Sequence, residues 1–582
     1  MSNIKLIEND LRKVANNLRT NSQLWLQQFS EPVLGLVFLK YADIKFWFAD
    51  TIIQEELAKS AWPRWPRQAQ KDDYLAKNVI YLPTWCRYAD ALNQPISNDM
   101  GEIMNGIMRR IEEENPDIKG ILPKTYHTLH NDVQTNNDLI FSLLKAFNSE
   151  MMNNLKGDVF GNIYEYFLGE FALAEWQWWG EFFTPRSLVK LLVNILEPIS
   201  GTIYDPACGS WGMFVQSFDF AKLRHDNDDI ETLKSLRTYG QDKNESYVKL
   251  CKLNLAIHGI TWPVTQWVSY YDNPYESKGK FDFVIANPPF NISEIDTKKL
   301  ENNDIYDYGI PSVNNANYLW IQLFLNSLNP TGRAWFIMGN NASDARNSEE
   351  IIRSKMIQDG VVDVMIAVWP NMFYNVTLPC TLWFFDKRKK QSDRKDKVLF
   401  INAKSIFRQI DRAHREYTEE QIAYMTHIVN LYRWETTVDF VAYLASQSTN
   451  IKAEIAELTT TLETTRKNTD EFKSITESLK ELNDRLVINA KLKTEYETNF
   501  AGTYHDILWL CKVATIEEIG NNSRSLNPWR YTWVVKDDTS DEDLKEKFTS
   551  AYMEFVELSS QAKELETTIV ANGQDLLSSR EA

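Results

Sequence analysis

The stretch Phe281 to Phe290, FDFVIANPPF, ends an apolar run on an asparagine and two prolines. Proline fixes its own φ and confines the residue before it, so Asn287 is held extended and the Pro288 carbonyl points in one direction. Pro288 and Pro289 also lack main-chain N–H donors. What remains is a rigid pair of acceptors, the Asn287 side-chain carbonyl and the Pro288 main-chain carbonyl, suited to a planar amino group. In an exocyclic base amine the nitrogen lone pair is delocalised into the ring. Two acceptors on its hydrogens favour the pyramidal form and free that pair for attack. Phe290 offers a ring on which a base can stack once it has left a duplex. An isolated Asn-Pro-Pro-Phe is more often a turn that ends a strand; what precedes this one reverses the weighting.

Upstream, TIYDPACGSWGMF (Thr202 to Phe214) places an acid and small residues between an apolar strand and an amphipathic helix. Such a turn lets backbone approach a nucleotide-like cofactor, and the helix N-terminus adds partial positive charge. The next strand ends in YGQDKN, where Asp242 can accept from both hydroxyls of a ribose. Alone, each feature is equally a surface loop. The pair His127 and His130 has no cysteine or carboxylate cluster beside it, and the five cysteines are scattered, so no metal site is expected. The basic run Lys387 to Lys397 reads first as a solvated loop between strands and second as a phosphate contact, and Arg412 and Arg415 are open in the same way.

The elements that must position these residues alternate. From about 155 to 405, helical patterns separate short apolar strands (GTIYDPA, RTYGQD, VTQWVSYYD, FDFVIANPP, RAWFIM, VVDVMIAVW, TLWFFDK), which is the pattern of a doubly wound α/β domain. Ligands of such sheets bind beyond the carboxyl ends of the strands, where Asp205, Asp242 and Asn287 fall. The first 150 or so residues read as helical. Past 450 the chain is polar and helical, with an unbroken seam from Leu544 to Ile569 and an earlier run from Ile451 to Leu486 as its candidate antiparallel mate. No run approaches a membrane span and no secretory signal opens the chain, so a reducing cytoplasm is expected. The net charge of -17 argues against a protein that grips nucleic acid alone.

DPACGSWGMF, NPPF and the upstream EFFTPRSLVKLL resemble motifs I, IV and X of the gamma-order N6-adenine DNA methyltransferases. With PVLGLVFLKYAD, NLAIHGI, NNANYLWIQLFLNSL, PNMFYNVTLPCTLWFFDK and DRAHREYTEEQI, the chain resembles more narrowly the modification subunit of type I restriction-modification systems, over most of residues 5 to 435. The resemblance implies a Rossmann-like methyltransferase domain with a mixed, mostly parallel sheet at 156–445, a helical domain at 1–155, and a helical, coiled-coil-like association region at 446–582. It implies S-adenosylmethionine as cofactor and a flipped adenine of DNA as acceptor. Phe183, Thr184 and Pro185 would lie against the cofactor's methionine part; Asp205, Pro206, Ala207, Cys208, Gly209, Ser210 and Gly212 would form the loop beneath it. Asp242 would take the ribose and Asp272 would meet the adenine moiety, while Asn287, Pro288, Pro289 and Phe290 would hold the target base. The implied partners are a specificity subunit that reads the DNA, a second copy of this chain and a motor-nuclease subunit. No phosphate loop of that motor is present in this chain.

Glycine is scarce, 21 residues against 19 tryptophans. Trp178, Trp179, Trp211, Trp335 and Trp369 stand where the resembled family has glycine or another small residue. An indole at 211 can fill the cofactor's space, and three explanations stay open: a rearranged loop, an altered or inactive version of the family, or tryptophan standing in error at glycine positions. A non-catalytic scaffold of the same fold, or an enzyme acting on RNA or a protein glutamine, is the alternative expectation.

Overall fold

The computed structural model describes residues 26–60, 67–148, 184–225 without 210 and 211, and 232–532, apart from gaps of one to five residues inside these ranges. Residues 26–532 belong to one compact unit. The expected seam from Leu544 to Ile569 lies outside the described residues, as do Phe183, Ser210, Trp178, Trp179, Trp211 and Arg412.

Nine strands form one sheet: β1 (Gly201–Asp205), β2 (Leu236–Asp242), β3 (Val264–Gln266), β4 (Phe281–Ala286), β5 (Leu328–Gly339), β6 (Val362–Ala367), β7 (Cys380–Asp386), β8 (Lys397–Asn402) and, after a two-stranded ribbon of β9 (Arg408–Gln409) and β10 (Arg415–Glu416), β11 (Cys511–Thr515). Their order across the sheet is β11-β8-β6-β7-β5-β4-β1-β2-β3. Strands β1 to β6 and β8 run parallel; β7, wedged between β5 and β6, and the edge strand β11 run antiparallel. The mixed, mostly parallel sheet therefore matches the expected fold class. The carboxyl ends of β1, β2 and β4 fall on one edge, as sequence reading required.

Two strands of the sheet, β8 and β11, and the short ribbon of β9 and β10 escaped that reading. KVLFIN follows a charged run and CKVAT is short and half polar, so neither carries a strong period. VTQWVSYYD was expected to be a long strand, yet only Val264–Gln266 pairs; nothing among the described residues pairs beyond it, because β3 is the sheet's edge.

The strands are almost wholly apolar because helices cover both faces. On one, α4 (Arg186–Leu196) buries Leu188, Leu192 and Ile195 with α5 (Gly212–Arg224) and α9 (Glu419–Arg433); on the other, α7 (Asn317–Ser327) and α8 (Ser348–Gln358) pack on β4 and β5. An N-terminal helical layer, α1 (Leu26–Ser60), α2 (Met100–Glu114) and α3 (Val133–Ala146), has its own core and docks on Leu253, Ala256 and Ile257 of α6 (Glu245–Ile257). Gly35 of α1 is needed there, since a Cβ would lie 2.4 Å from both Pro123 and the Tyr126 hydroxyl.

The earlier apolar run turns back on itself. α10 (Phe440–Thr464) and α11 (Asp470–Asn499) form a hairpin in which Ile451, Ile455, Leu458 and Leu462 pack with Ile475, Leu479, Leu482 and Leu486. The two halves of that run are thus each other's mates. Asp439 and Thr469 cap the two helices, and the break between them falls at Thr465–Thr469. Among the described residues no helix is long and apolar enough to cross a membrane.

Candidate active site

Asp282, at the start of β4, sets the relation of the two key loops. Its Oδ2 accepts from Thr202 N and Thr202 Oγ1, each at 2.8 Å, and its Oδ1 accepts from Asn329 Nδ2 at 2.8 Å. Gly201, at φ +116, permits this approach, since a Cβ would lie 2.7 Å from Asp282 Oδ2. β1 and β4 are thereby locked in register, Ile203 opposite Phe283. Tyr204 ties β1 to β2 by donating to Gln241 Oε1 at 2.7 Å.

Beyond β1 the chain turns through Asp205, Pro206, Ala207, Cys208 and Gly209. Asp205 is buried and accepts from Ala207 N at 2.9 Å, and Cys208 N donates to the Gln241 carbonyl at 3.0 Å. Burial, with a smaller contribution from the charge of Asp242, pushes the Asp205 carboxyl well above the usual carboxylate range. Burial likewise raises the Cys208 and Cys251 thiols, which marks them as packing groups, not nucleophiles. Asp242 braces the loop: its Oδ2 accepts from Gly209 N at 3.1 Å and its Oδ1 from Asn244 N at 2.8 Å. Gly209 has φ +49, and among the described residues a Cβ there or at Gly212 would meet nothing within 4 Å. Asp272 is half-buried in the turn after β3, beside Tyr270 and Tyr271.

Asn287, Pro288, Pro289 and Phe290 follow β4 directly. Pro288 is buried; the other three are half-buried. Asn287 Nδ2 donates to Thr184 Oγ1 at 2.8 Å. Oδ1 of the same amide is buried. Thr184 and Pro185 stand at the entrance to α4, with Pro185 as its N-cap. Thr184, expected on the cofactor, thus touches the Asn-Pro-Pro-Phe corner.

Sequence reasoning missed what stands behind Phe290. Asn291 has φ +56, a conformation asparagine tolerates better than most residues. Its N donates to Asn317 Oδ1 at 2.9 Å, and its Oδ1 accepts from Asn317 Nδ2 at 3.0 Å and Asn341 Nδ2 at 2.9 Å. Asn317 opens α7, and Asn341 follows β5. The only hint in the sequence is the density of asparagines in NNAN and GNN.

The other singled-out residues are occupied elsewhere. His127 Nδ1 meets Asn105 Nδ2 at 2.8 Å, and His130 Nδ1 accepts from Asp132 N at 3.0 Å. The basic run follows β7, so it lies at the sheet edge opposite the Asn-Pro-Pro-Phe corner; Lys389 is buried on the Val362 carbonyl, and Arg394 pairs with Asp363. Arg415 donates to the Pro370 carbonyl at 2.9 Å. Trp335 is fully buried in β5, and Trp369 is partly exposed after β6.

A doubly wound sheet with a cofactor-type turn after β1, an acid after β2 and an Asn-Pro-Pro-Phe after β4 defines the class as a methyltransferase. The N-6 DNA Methylase family matches residues 155–472, and the HsdM N-terminal domain matches residues 7–147. The chain belongs to the N-6 DNA methylase family, among the HsdM-type modification subunits of type I restriction-modification systems. It is 38% identical over 434 residues to the type I restriction enzyme MjaIX methylase subunit of Methanocaldococcus jannaschii, covering 71% of this chain and 75% of the relative. Over 480 residues it is 28% identical to the HindI methylase subunit of Haemophilus influenzae, covering 81% and 92%. In fold it is similar to a type I restriction-modification methyltransferase subunit from Streptococcus thermophilus, with a TM-score of 0.63 at 18% identity over 91% of this chain and 99% of that one.

Proposed function

We propose that this DNA methyltransferase transfers a methyl group from S-adenosylmethionine to N6 of an adenine flipped out of DNA, within a type I restriction-modification complex. The observation that supports this reading is the bond from Asn287 Nδ2 to the Thr184 hydroxyl, which ties the Asn-Pro-Pro-Phe corner to the entrance of α4. When bound, the sulfonium supplies an electrophilic methyl group. The chain's own residues do the rest. Asp205 to Gly212 form the floor of the cofactor site, with Phe183, Thr184 and Pro185 on its methionine side; Asp242 takes the ribose hydroxyls and Asp272 meets the adenine moiety. Asn287 and Pro288 accept the two hydrogens of the target amine, and Phe290 stacks on the base. Held there, the amine would be aimed in line with the methyl group, and its surplus proton would leave to solvent. Positioning and electrostatics are the catalytic means, with no covalent enzyme intermediate.

In this reading residues 1–155 and 446–582 flank a catalytic domain at 156–445, and the last region serves association with a specificity subunit, a second copy of the chain and a motor-nuclease subunit. The acidic balance of the chain supports it, because a protein of net charge -17 needs a partner to hold DNA. Tryptophan at 211 favours one competing reading, a scaffold of the same fold that binds partners without transfer. Methyl transfer to unmodified plasmid DNA, assayed with and without the specificity subunit, decides. Transfer that needs the subunit is the expected result. Partner binding without transfer supports the scaffold, and transfer confined to RNA or a protein glutamine overturns the substrate.

A further inference from the structure

Among the described residues eleven other than glycine have positive φ, and three of these are tryptophans: Trp85 at 68°, Trp434 at 59° and Trp509 at 69°. Left-handed backbone brings Cβ against the neighbouring carbonyl, so for a bulky residue it is an outlier, while glycine enters it freely. Each tryptophan occupies a place built for glycine. Trp85 is the third residue of the turn closed by Cys86 N on the Pro83 carbonyl at 3.1 Å, where positive φ calls for glycine. Trp434 ends α9. There Glu435 N donates to the Asn430 carbonyl at 3.1 Å and Trp434 N to the Leu431 carbonyl at 3.4 Å, a helix-terminating motif whose left-handed residue is usually glycine. Trp509 is the third residue of the turn closed by Leu510 N on the Ile507 carbonyl at 3.0 Å.

Burial does not explain the choice. Trp85 is 70% exposed, Trp434 85% and Trp509 45%. Trp320 and Trp383 make the contrast: they lie inside a helix and a strand, are buried, and pack on Tyr270 and Phe336 respectively. Composition agrees. The 21 glycines and 19 tryptophans together make about 7% of the chain, the share glycine alone takes in an ordinary protein.

We infer that the protein made in its own cell carries glycine at positions 85, 434 and 509, the gene using there a codon that this cell's ribosomes read as glycine. The inference stands apart from the reaction proposed above, since codons and peptide masses are read without any activity. It also has a consequence for that reaction. A Trp211 codon of the same kind puts a third glycine beside Gly209 and Gly212 and removes the one residue that argues for a scaffold.

The test is peptide mass spectrometry of the full-length protein isolated from its own cells, together with the gene's codons. The expected result is glycine at 85, 434 and 509, tryptophan at 320 and 383, and one codon shared by the first three that differs from the codon of the last two. Tryptophan in the peptides covering 85, 434 and 509 overturns the inference, whatever the codon. The same codon at all five positions overturns it as well, because a single codon cannot then distinguish the two sets.

Discussion

Replacing Thr184 by valine nearly preserves the side chain's shape and removes the hydroxyl that holds the Asn287 amide. The bond is 2.8 Å long and partly buried. Its net worth as a neutral hydrogen bond is about 0.5 to 1.5 kcal/mol. The loss lets the amide turn over, so that Nδ2 opposes the incoming amine and only a fraction of molecules present Oδ1. If that energy appears in the transition state, kcat falls about 2- to 13-fold, at 1.36 kcal/mol per factor of ten. Cofactor affinity should change less, because the loop proposed to lie beneath the cofactor is braced independently by Asp242 on Gly209 N. The assay is labelled methyl transfer to unmodified plasmid DNA by the chain with its specificity subunit, with cofactor affinity measured by calorimetry. Thr184→Ser keeps a hydroxyl and should stay near wild type, whereas Asn287→Ala should lose about 100-fold or more, the scale for removing one preorganised group at a reacting centre. An unchanged kcat in Thr184→Val, or an equal fall in Thr184→Ser, would refute the orientation argument.

Other outcomes are as specific. Trp211→Gly should tighten S-adenosylmethionine binding in a chain that carries tryptophan there, by calorimetry; equal affinity means the indole already points outward. Arg433 is buried on Asp363 at 2.9 Å, and Asp363 also holds Arg394, so Arg433→Met should destabilise by about 3 kcal/mol in urea unfolding, and adding Asp363→Leu should not restore the loss, because it strands Arg394. Lys190→Ala, at the exposed Lys190–Glu419 pair, should cost no more than about 1 kcal/mol. His427 is buried against Phe440 and bonded to Tyr496 of the helical hairpin at 2.9 Å, and burial lowers its pKa from 6.5 to about 4. The folded state holds it neutral, so its contribution is fully present above pH 6.5 and lost as pH falls to about 4. His427→Leu should flatten stability against pH over that window, and an unchanged slope would count against this burial.

The helical hairpin shows where local pattern stops. Its apolar spacing was plain in the sequence, but which run packs on which depends on a turn at Thr465–Thr469 that periodicity does not mark. β8 and β11 were missed for a related cause: their strand character comes from pairing with β6 and with each other, and a short half-polar segment carries little of that information in itself.

By itself, the sequence determined the class of fold, the edge of the sheet that carries the chemistry, and the residues after β1, β2 and β4. Those signals are local: proline restricts its neighbours, glycine and small residues mark close turns, and buried parallel strands must be apolar. The tertiary structure alone decided that Thr184 holds the Asn287 amide nitrogen, that Asp242 braces Gly209, and that Asn317 and Asn341 hold Asn291 in left-handed backbone. Each of these joins residues tens of positions apart, Thr184 to Asn287 or Asn291 to Asn341. A hydrogen bond depends on distance and angle in space, and only the packed sheet brings such groups within reach.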